Sequence, residues 1–254
     1  RKDFTEIPAM SAYGMAYQED PEAAARALTA AGFVMACELR CAGVDFTFAP
    51  VLDLNWGASQ IIGERSFALD PRVVTRLARA VSHGMLMAGM ANCGKHFPGH
   101  GYASADSHVA LPVDERDPVR IEHADAKPYT WMGTGLASIM TAHVLYPAYD
   151  NVPATFSKRI LKTLLRETLH FAGFVFSDDL SMKGAGGGTL TERAHKALEA
   201  GCDGVICCNA PEEVDEMLGK LEFTPDRDWL DRSCAVDPRG GCPDWETLVN
   251  SHVY

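Results

Sequence analysis

Short runs rich in β-branched and aromatic residues alternate along this chain with amphipathic helical stretches, and nothing else in the sequence restricts the fold as much. The runs cover residues 44–49, 91–97, 137–142, 173–176 and 204–208; the helical stretches cover 21–42, 71–89, 157–169, 190–200 and 211–221. Asp20-Pro21 and Asp70-Pro71 each supply an N-cap followed by proline at the first helical position, and Asn209-Ala210 precedes the last helix. Such alternation builds βα units around a parallel sheet. Nearly every run ends in polar or ionisable residues: Asp53, Lys95-His96, His143, Asp178-Asp179 and Asn209. Parallel barrels gather their chemistry where the βα loops converge, at the strand C-termini. A doubly wound sheet does so through a glycine-rich phosphate turn, which this sequence lacks. The expected fold class is therefore α/β, a TIM-type (β/α)8 barrel. Five or six strands are legible where a closed barrel needs eight. There is no tandem repeat, low-complexity tract or long linker. The chain reads as one domain over residues 1–254, with 222–254 as a peripheral C-terminal tail rich in Pro, Asp and Trp.

The net charge of −11 argues against a nucleic-acid partner, because phosphate binding needs clustered Lys and Arg. No apolar run approaches the roughly 20 residues of a membrane span, so no membrane partner is expected. Eight cysteines, at 37, 41, 93, 202, 207, 208, 234 and 242, fall mostly in apolar segments and read as reduced, buried thiols. That pattern points to a cytoplasmic protein. Cys37 and Cys41 lie on an apolar helical stretch with no second Cys or His pair nearby, so no metal is expected there.

Three segments carry chemistry. Residues 94–101, Gly-Lys-His-Phe-Pro-Gly-His-Gly, are followed by Asp106-Ser107-His108. The glycines and Pro98 permit a tight loop that brings backbone and polar side chains close to a ligand. A loop with this many histidines is also open to a metal-site reading through His96, His100, His108 and an aspartate; Lys95 opposes it by placing a positive charge beside the cation. In residues 173–182 a buried strand runs into Asp178-Asp179, so one carboxylate can stand at a barrel mouth and attack an anomeric carbon. A capping role for Ser177 and Asp178 is the alternative. In residues 62–67, Arg65 offers a rigid fork of donors suited to sugar hydroxyls or carbonyl oxygens.

Taken together, Phe48-Ala49-Pro50-Val51-Leu52-Asp53, Gly63-Glu64-Arg65-Ser66-Phe67, the 95–101 loop, Asp106-Ser107-His108 and Phe176-Ser177-Asp178-Asp179-Leu180-Ser181-Met182 resemble glycoside hydrolase family 3. Within it they are similar to the bacterial β-N-acetylglucosaminidases of peptidoglycan recycling, over most of the chain. The resemblance implies a retaining mechanism with Asp178 as nucleophile and His108 as general acid/base, oriented by Asp106. It implies that Arg65, Lys95 and His96 hold the terminal N-acetylglucosamine, with His100 only shaping the loop. The implied substrate is a saccharide of the N-acetylglucosaminyl-anhydromuramic acid type, with no cofactor and no metal; the sequence leaves the oligomeric state open. Histidine suits the acid/base role because its ordinary pKa, about 6.5, is already near neutrality. A cationic acid in place of the usual carboxylic acid would also leave room for phosphate as an acceptor. By the same resemblance, one or two βα units ahead of Phe4 are missing from this chain, which predicts a polypeptide of low stability and weak activity. An inactive sugar-binding remnant is the competing reading.

Overall fold

Asp20 and Asp70 open the two longest helices as their sequence contexts predict. The computed structural model describes residues 4–103, 111–225, 227–241 and 244–250. Helix α1 (Met10–Glu19) is followed at once by α2 (Pro21–Cys41), where the Asp20 carboxylate accepts the Glu22 and Ala23 N–H groups at 3.1 and 2.9 Å. In α3 (Pro71–Met87) the Asp70 carboxylate accepts the Arg72 N–H at 2.8 Å. Helices α2 and α3 pack face to face at glycines. A Cβ on Gly84 would stand 2.0 Å from the Thr29 carbonyl oxygen, and one on Gly32 would stand 2.5 Å from that of Val81.

The chain then runs through β1 (Cys93–Phe97), α4 (Pro118–His123), α5 (Lys127–Met132) and β2 (Ser138–Thr141). A π-helix (Arg159–Thr168) leads to β3 (Phe174–Asp179), α6 (Leu190–Ala200), β4 (Gly204–Ile206) and α7 (Pro211–Lys220). The predicted helical stretches thus fall on helices to within about two residues at each end, with 157–169 wound as a π-helix; α1, α4 and α5 lie in stretches not expected to be helical. The four strands are all parallel and stand in the order β1-β2-β3-β4. Spatial order following chain order, with helices between strands, is the winding of a barrel wall; a doubly wound sheet reverses at its switch point. Most of β1 and all of β2 are buried. Phe97 of β1 and Ile139 of β2 belong to a core that also holds Leu52, Val175 and Tyr146.

Residues 44–49 depart from their expected regular strand. Phe46 bridges Ala91 and Val51 bridges Lys95 in parallel fashion. Cys93 N–H donates to the Ala49 carbonyl at 2.7 Å, and Leu52 N–H donates to that of Lys95 at 2.7 Å. The segment therefore lies beside β1 as a fifth, irregular member of the wall. Pro50, between the Phe46 and Val51 bridges, brings no N–H, so the ladder cannot run unbroken.

The tail beyond residue 221 contains α8 (Arg227–Ser233) and α9 (Trp245–Val249). Side-chain contacts tie it to the rest of the chain. The Arg232 guanidinium pairs with Asp203 Oδ1 at 2.7 Å, Trp229 Nε1 donates to the Asp203 carbonyl at 2.7 Å, and Arg40 reaches the carbonyls of Arg239 and Gly240. Among the described residues no helix is long and apolar enough to cross a membrane. Among the described cysteines, Cys37, Cys93 and Cys202 are buried as expected, but Cys208 and Cys234 are exposed. Cys208 was expected inside an apolar strand; β4 ends at Ile206, and Cys208 falls on the rim beyond it.

Candidate active site

The C-terminal ends of the strands open onto one cavity of about 310 Å3. Arg65, Lys95, His96, His100, Asp178, Asp179 and Asn209 contribute its polar lining; Phe48, Met140, Met182 and Ile206 contribute its apolar walls. Residues far apart in the chain meet here because each follows or ends a neighbouring parallel strand, as convergence at the strand C-termini requires. Of the strand-end residues flagged in the sequence, only Asp53 and His143 stand behind the cavity wall. His143 is fully buried, bonded through Nε2 to the Asp179 carbonyl oxygen at 3.0 Å and through Nδ1 to Thr155 Oγ1 at 2.9 Å. Burial, partly offset by Asp178, holds its imidazole below the ordinary histidine range.

The two aspartates at the end of β3 have unlike surroundings. Asp179 Oδ1 accepts the Ser181 N–H at 2.9 Å, the Ser181 hydroxyl at 2.6 Å and the Cys208 N–H at 2.9 Å, while Oδ2 accepts Asn209 Nδ2 at 2.9 Å. Burial opposes its charge, but these donors together keep its pKa below the usual carboxylate value. Asp179 thus stitches β3 to the segment after β4. Asp178 is half-buried and lines the cavity; among the described residues its carboxylate accepts one hydrogen bond, from the Asp179 N–H at 2.8 Å. Its remaining acceptor capacity faces a ligand-sized space.

Lys95 stands across the same cavity. Burial first, then the charge of Arg65, lowers its pKa from the ordinary lysine value. Arg65 ends a short 3-10 turn (Gly63–Arg65) and is exposed, with Nη1 donating to the Ile61 carbonyl at 3.2 Å. His96 is held from behind: its Nδ1 lies 2.8 Å from Asp53 Oδ2. His100 is buried, its N–H donating to Asp53 Oδ1 at 2.7 Å and its ring centroid 5.9 Å from that of His96. Burial and then His96 lower its pKa. The expected cluster of Asp178, Arg65, Lys95 and His96 is therefore gathered in one place. Asp106 and His108 lie outside the described residues, as does His108 in its alternative role as a metal ligand. Among the described residues no group of three His, Cys, Asp or Glu side chains is arranged to hold a metal ion.

Two features went unread in the sequence. One is the part played by Asp53, taken up below. The other is an ionic hub beside the cavity loop. Arg116 forks onto Asp114 (Nε–Oδ1 2.9 Å, Nη2–Oδ2 2.6 Å), places Nη1 2.8 Å from Asp125 Oδ2, and stacks over Tyr102 and Trp56 at 4.0 and 4.8 Å. Trp56 Nε1 in turn donates to Asp125 Oδ1 at 2.9 Å. Burial opposes the guanidinium charge, but the two carboxylates outweigh it and raise the pKa further. Asp114-Glu115-Arg116 is visible as a charged triplet; its pairing with Asp125 and the two rings is tertiary and leaves no local signal.

The glycosyl hydrolase family 3 N-terminal domain matches residues 1–227. The chain belongs to that family. Over 253 residues, 99% of its length, this family 3 chain is 50% identical to a β-hexosaminidase of Bordetella avium and 49% identical to one of Bordetella parapertussis, covering 72% of each. Among solved structures, it superimposes with a TM-score of 0.92 on NagZ from Neisseria gonorrhoeae in complex with N-trifluoroacetyl-D-glucosamine. There it is 42% identical and covers 99% of this chain and 74% of that one. The parallel sheet of the family 3 domain is thus that of a TIM-like α/β fold.

Proposed function

We propose that this chain is the catalytic barrel of a retaining exo-β-N-acetylglucosaminidase that releases terminal β-linked N-acetylglucosamine from peptidoglycan-derived saccharides through a covalent glycosyl-aspartate. The observation that carries the reading is the contrast between the two aspartates of β3: Asp179 is committed to four hydrogen bonds, while Asp178 faces the cavity with capacity to spare. A carboxylate so placed attacks the anomeric carbon, the glycosidic oxygen leaves with a proton, and water then hydrolyses the ester. His108, paired with Asp106, supplies the proton and then takes one from the water. Arg65, Lys95 and His96 hydrogen-bond the sugar. In this reading the barrel is the (β/α)8 type, and the protein works in the cytoplasm.

Support for the sugar comes from the relatives. The curated ones are named β-hexosaminidases, and the gonococcal structure holds an N-acylated glucosamine. The test is mass spectrometry after incubation with a 5-fluoro N-acetylglucosaminyl donor. The expected result is one added sugar on the peptide containing Asp178. A label on another peptide, or turnover with no trapped species and inverted product, overturns the mechanism. Comparing N-acetylglucosaminyl-anhydromuramic acid with chitobiose as substrates then decides the aglycone.

A further inference from the structure

Asp53 lies outside the cavity lining, yet it is among the most fully buried charged residues of the domain, with its side chain wholly shielded from solvent. It stands directly behind His96. Its Oδ2 lies 2.8 Å from His96 Nδ1, its Oδ1 accepts the His100 N–H at 2.7 Å, and the His96 N–H approaches both oxygens at 3.2 and 3.3 Å. Its own backbone is fixed by the Ser66 hydroxyl, which donates to the Asp53 carbonyl at 2.6 Å. A buried carboxylate engaged this way cannot be a general structural anchor alone, because one of its oxygens is spent on an imidazole that lines the ligand cavity.

Taking the N-acetylglucosaminidase reading as its basis, we propose that Asp53 is a positioning residue that holds the hydrogen of His96 on Nδ1 and fixes its ring, so that Nε2 is presented to a hydroxyl of the bound sugar. Burial opposes ionisation of Asp53, but the charge and hydrogen bond of His96 and the N–H of His100 outweigh it and hold the carboxyl below the usual range. An ionised carboxylate can only accept, so His96 Nδ1 carries the hydrogen and the tautomer is settled. The other ionisable groups facing this pair are His100, with its ring 5.9 Å away, His143 behind the end of β3, and Lys95, Arg65 and Asp178 around the cavity. Both neighbouring histidines are held below their ordinary range, chiefly by burial, so neither brings a positive charge near neutral pH.

The first experiment uses the ligand-free protein and needs no turnover. The His96 ring nitrogens are observed by 15N NMR in the parent and in Asp53→Asn, which keeps the shape but has an amide that donates as well as accepts. The parent is expected to show the Nδ1–H tautomer alone and the variant a mixture of the two tautomers; the same tautomer population in both overturns the proposal. Because this readout is independent of activity, it stands apart from any failure of the enzymatic reading. The second is a double-mutant cycle on a chromogenic N-acetylglucosaminide. Asp53→Asn is expected to raise KM by up to roughly tenfold, the worth of one hydrogen bond to the sugar, with a smaller change in kcat. In a His96→Gln background the same substitution is expected to do little more. Additive losses in both backgrounds, or a variant whose far-UV circular dichroism and melt show a disrupted fold with KM following that disruption, would assign Asp53 to structure only.

Discussion

Neighbouring residues of one type can take opposite roles when their hydrogen-bond surroundings differ, and Asp178 and Asp179 separate the two roles for experiment. Substituting Asp178 by Ala removes the proposed nucleophile and one local hydrogen bond. The expected outcome is a fall in kcat of roughly 10³-fold or more with little change in the denaturant midpoint. Asp179→Ala strips acceptors from the Ser181, Cys208 and Asn209 donors. Unpaired donors at a mostly buried position cost about 1–3 kcal/mol, so here the unfolding midpoint in urea should drop. If the stability loss follows Asp178 and the loss of turnover alone follows Asp179, the assignment is reversed. The sequence pair Asp-Asp shows that a carboxylate stands at the strand end. Which of the two is spoken for depends on Cys208 and Asn209, 29 and 30 residues away, and on that the local sequence is silent.

Elements were legible in proportion to how locally they are specified. Helices α2 and α3 begin at Asp-Pro caps, and α6 at a Thr189–Glu192 capping box, so their starts are written in adjacent residues. Strands β1 to β4 are marked by apolar runs closed by polar residues. The segment 44–49 carries the same mark but forms only a bridge at Phe46, and the next, at Val51, follows Pro50, which brings no N–H to continue the ladder. Helix α1 escaped notice because it has no side-chain cap and presents no strong apolar stripe. The π-helix, too, has a helix-like sequence, and its wider winding is not encoded in periodicity. The packing of α2 on α3 rests on two glycines whose meaning is wholly tertiary. Gly84→Ala drives a methyl group onto the Thr29 carbonyl and the Phe33 N–H, at 2.0 and 2.6 Å before relaxation. Although alanine is the better helix former, the pair must separate, and a loss of about 1–3 kcal/mol or more is expected in a thermal or urea melt. An unchanged or raised midpoint would show that the two helices are not held this closely.

At the scale of the whole molecule, the fold collects ionisable side chains behind and around one cavity, and that arrangement makes stability depend on pH. His100 and His143 are held below the ordinary histidine value of about 6.5, first by burial. Between their folded pKa values and 6.5 the unfolded chain therefore binds protons that the folded chain does not. Stability that is fully present above pH 6.5 is lost as pH falls through that window. Asp53 and Asp179 act lower down. Burial opposes their charge, yet their hydrogen bonds, and for Asp53 the neighbouring His96, leave both pKa values below the usual carboxylate range. Their contribution is present above about pH 4 and is lost as pH falls through their folded values. Asp125, raised by burial in spite of Arg116, works in the opposite sense and above that window: between its folded pKa and about 4 the folded chain takes up a proton before the unfolded one, so stability is gained as pH falls towards 4. The expected outcome is a melting temperature that falls in two stages, first between pH 7 and about 5.5, where carboxylates of ordinary pKa do not titrate, and again below about pH 4. Replacing the buried imidazole in His143→Gln should lower the parent's melting temperature at pH 7 yet reduce the slope of the first stage. A melting temperature flat from pH 7 to 5.5 in the parent, or a first-stage slope unchanged by the substitution, would mean that these imidazoles take up protons without unfolding the barrel wall.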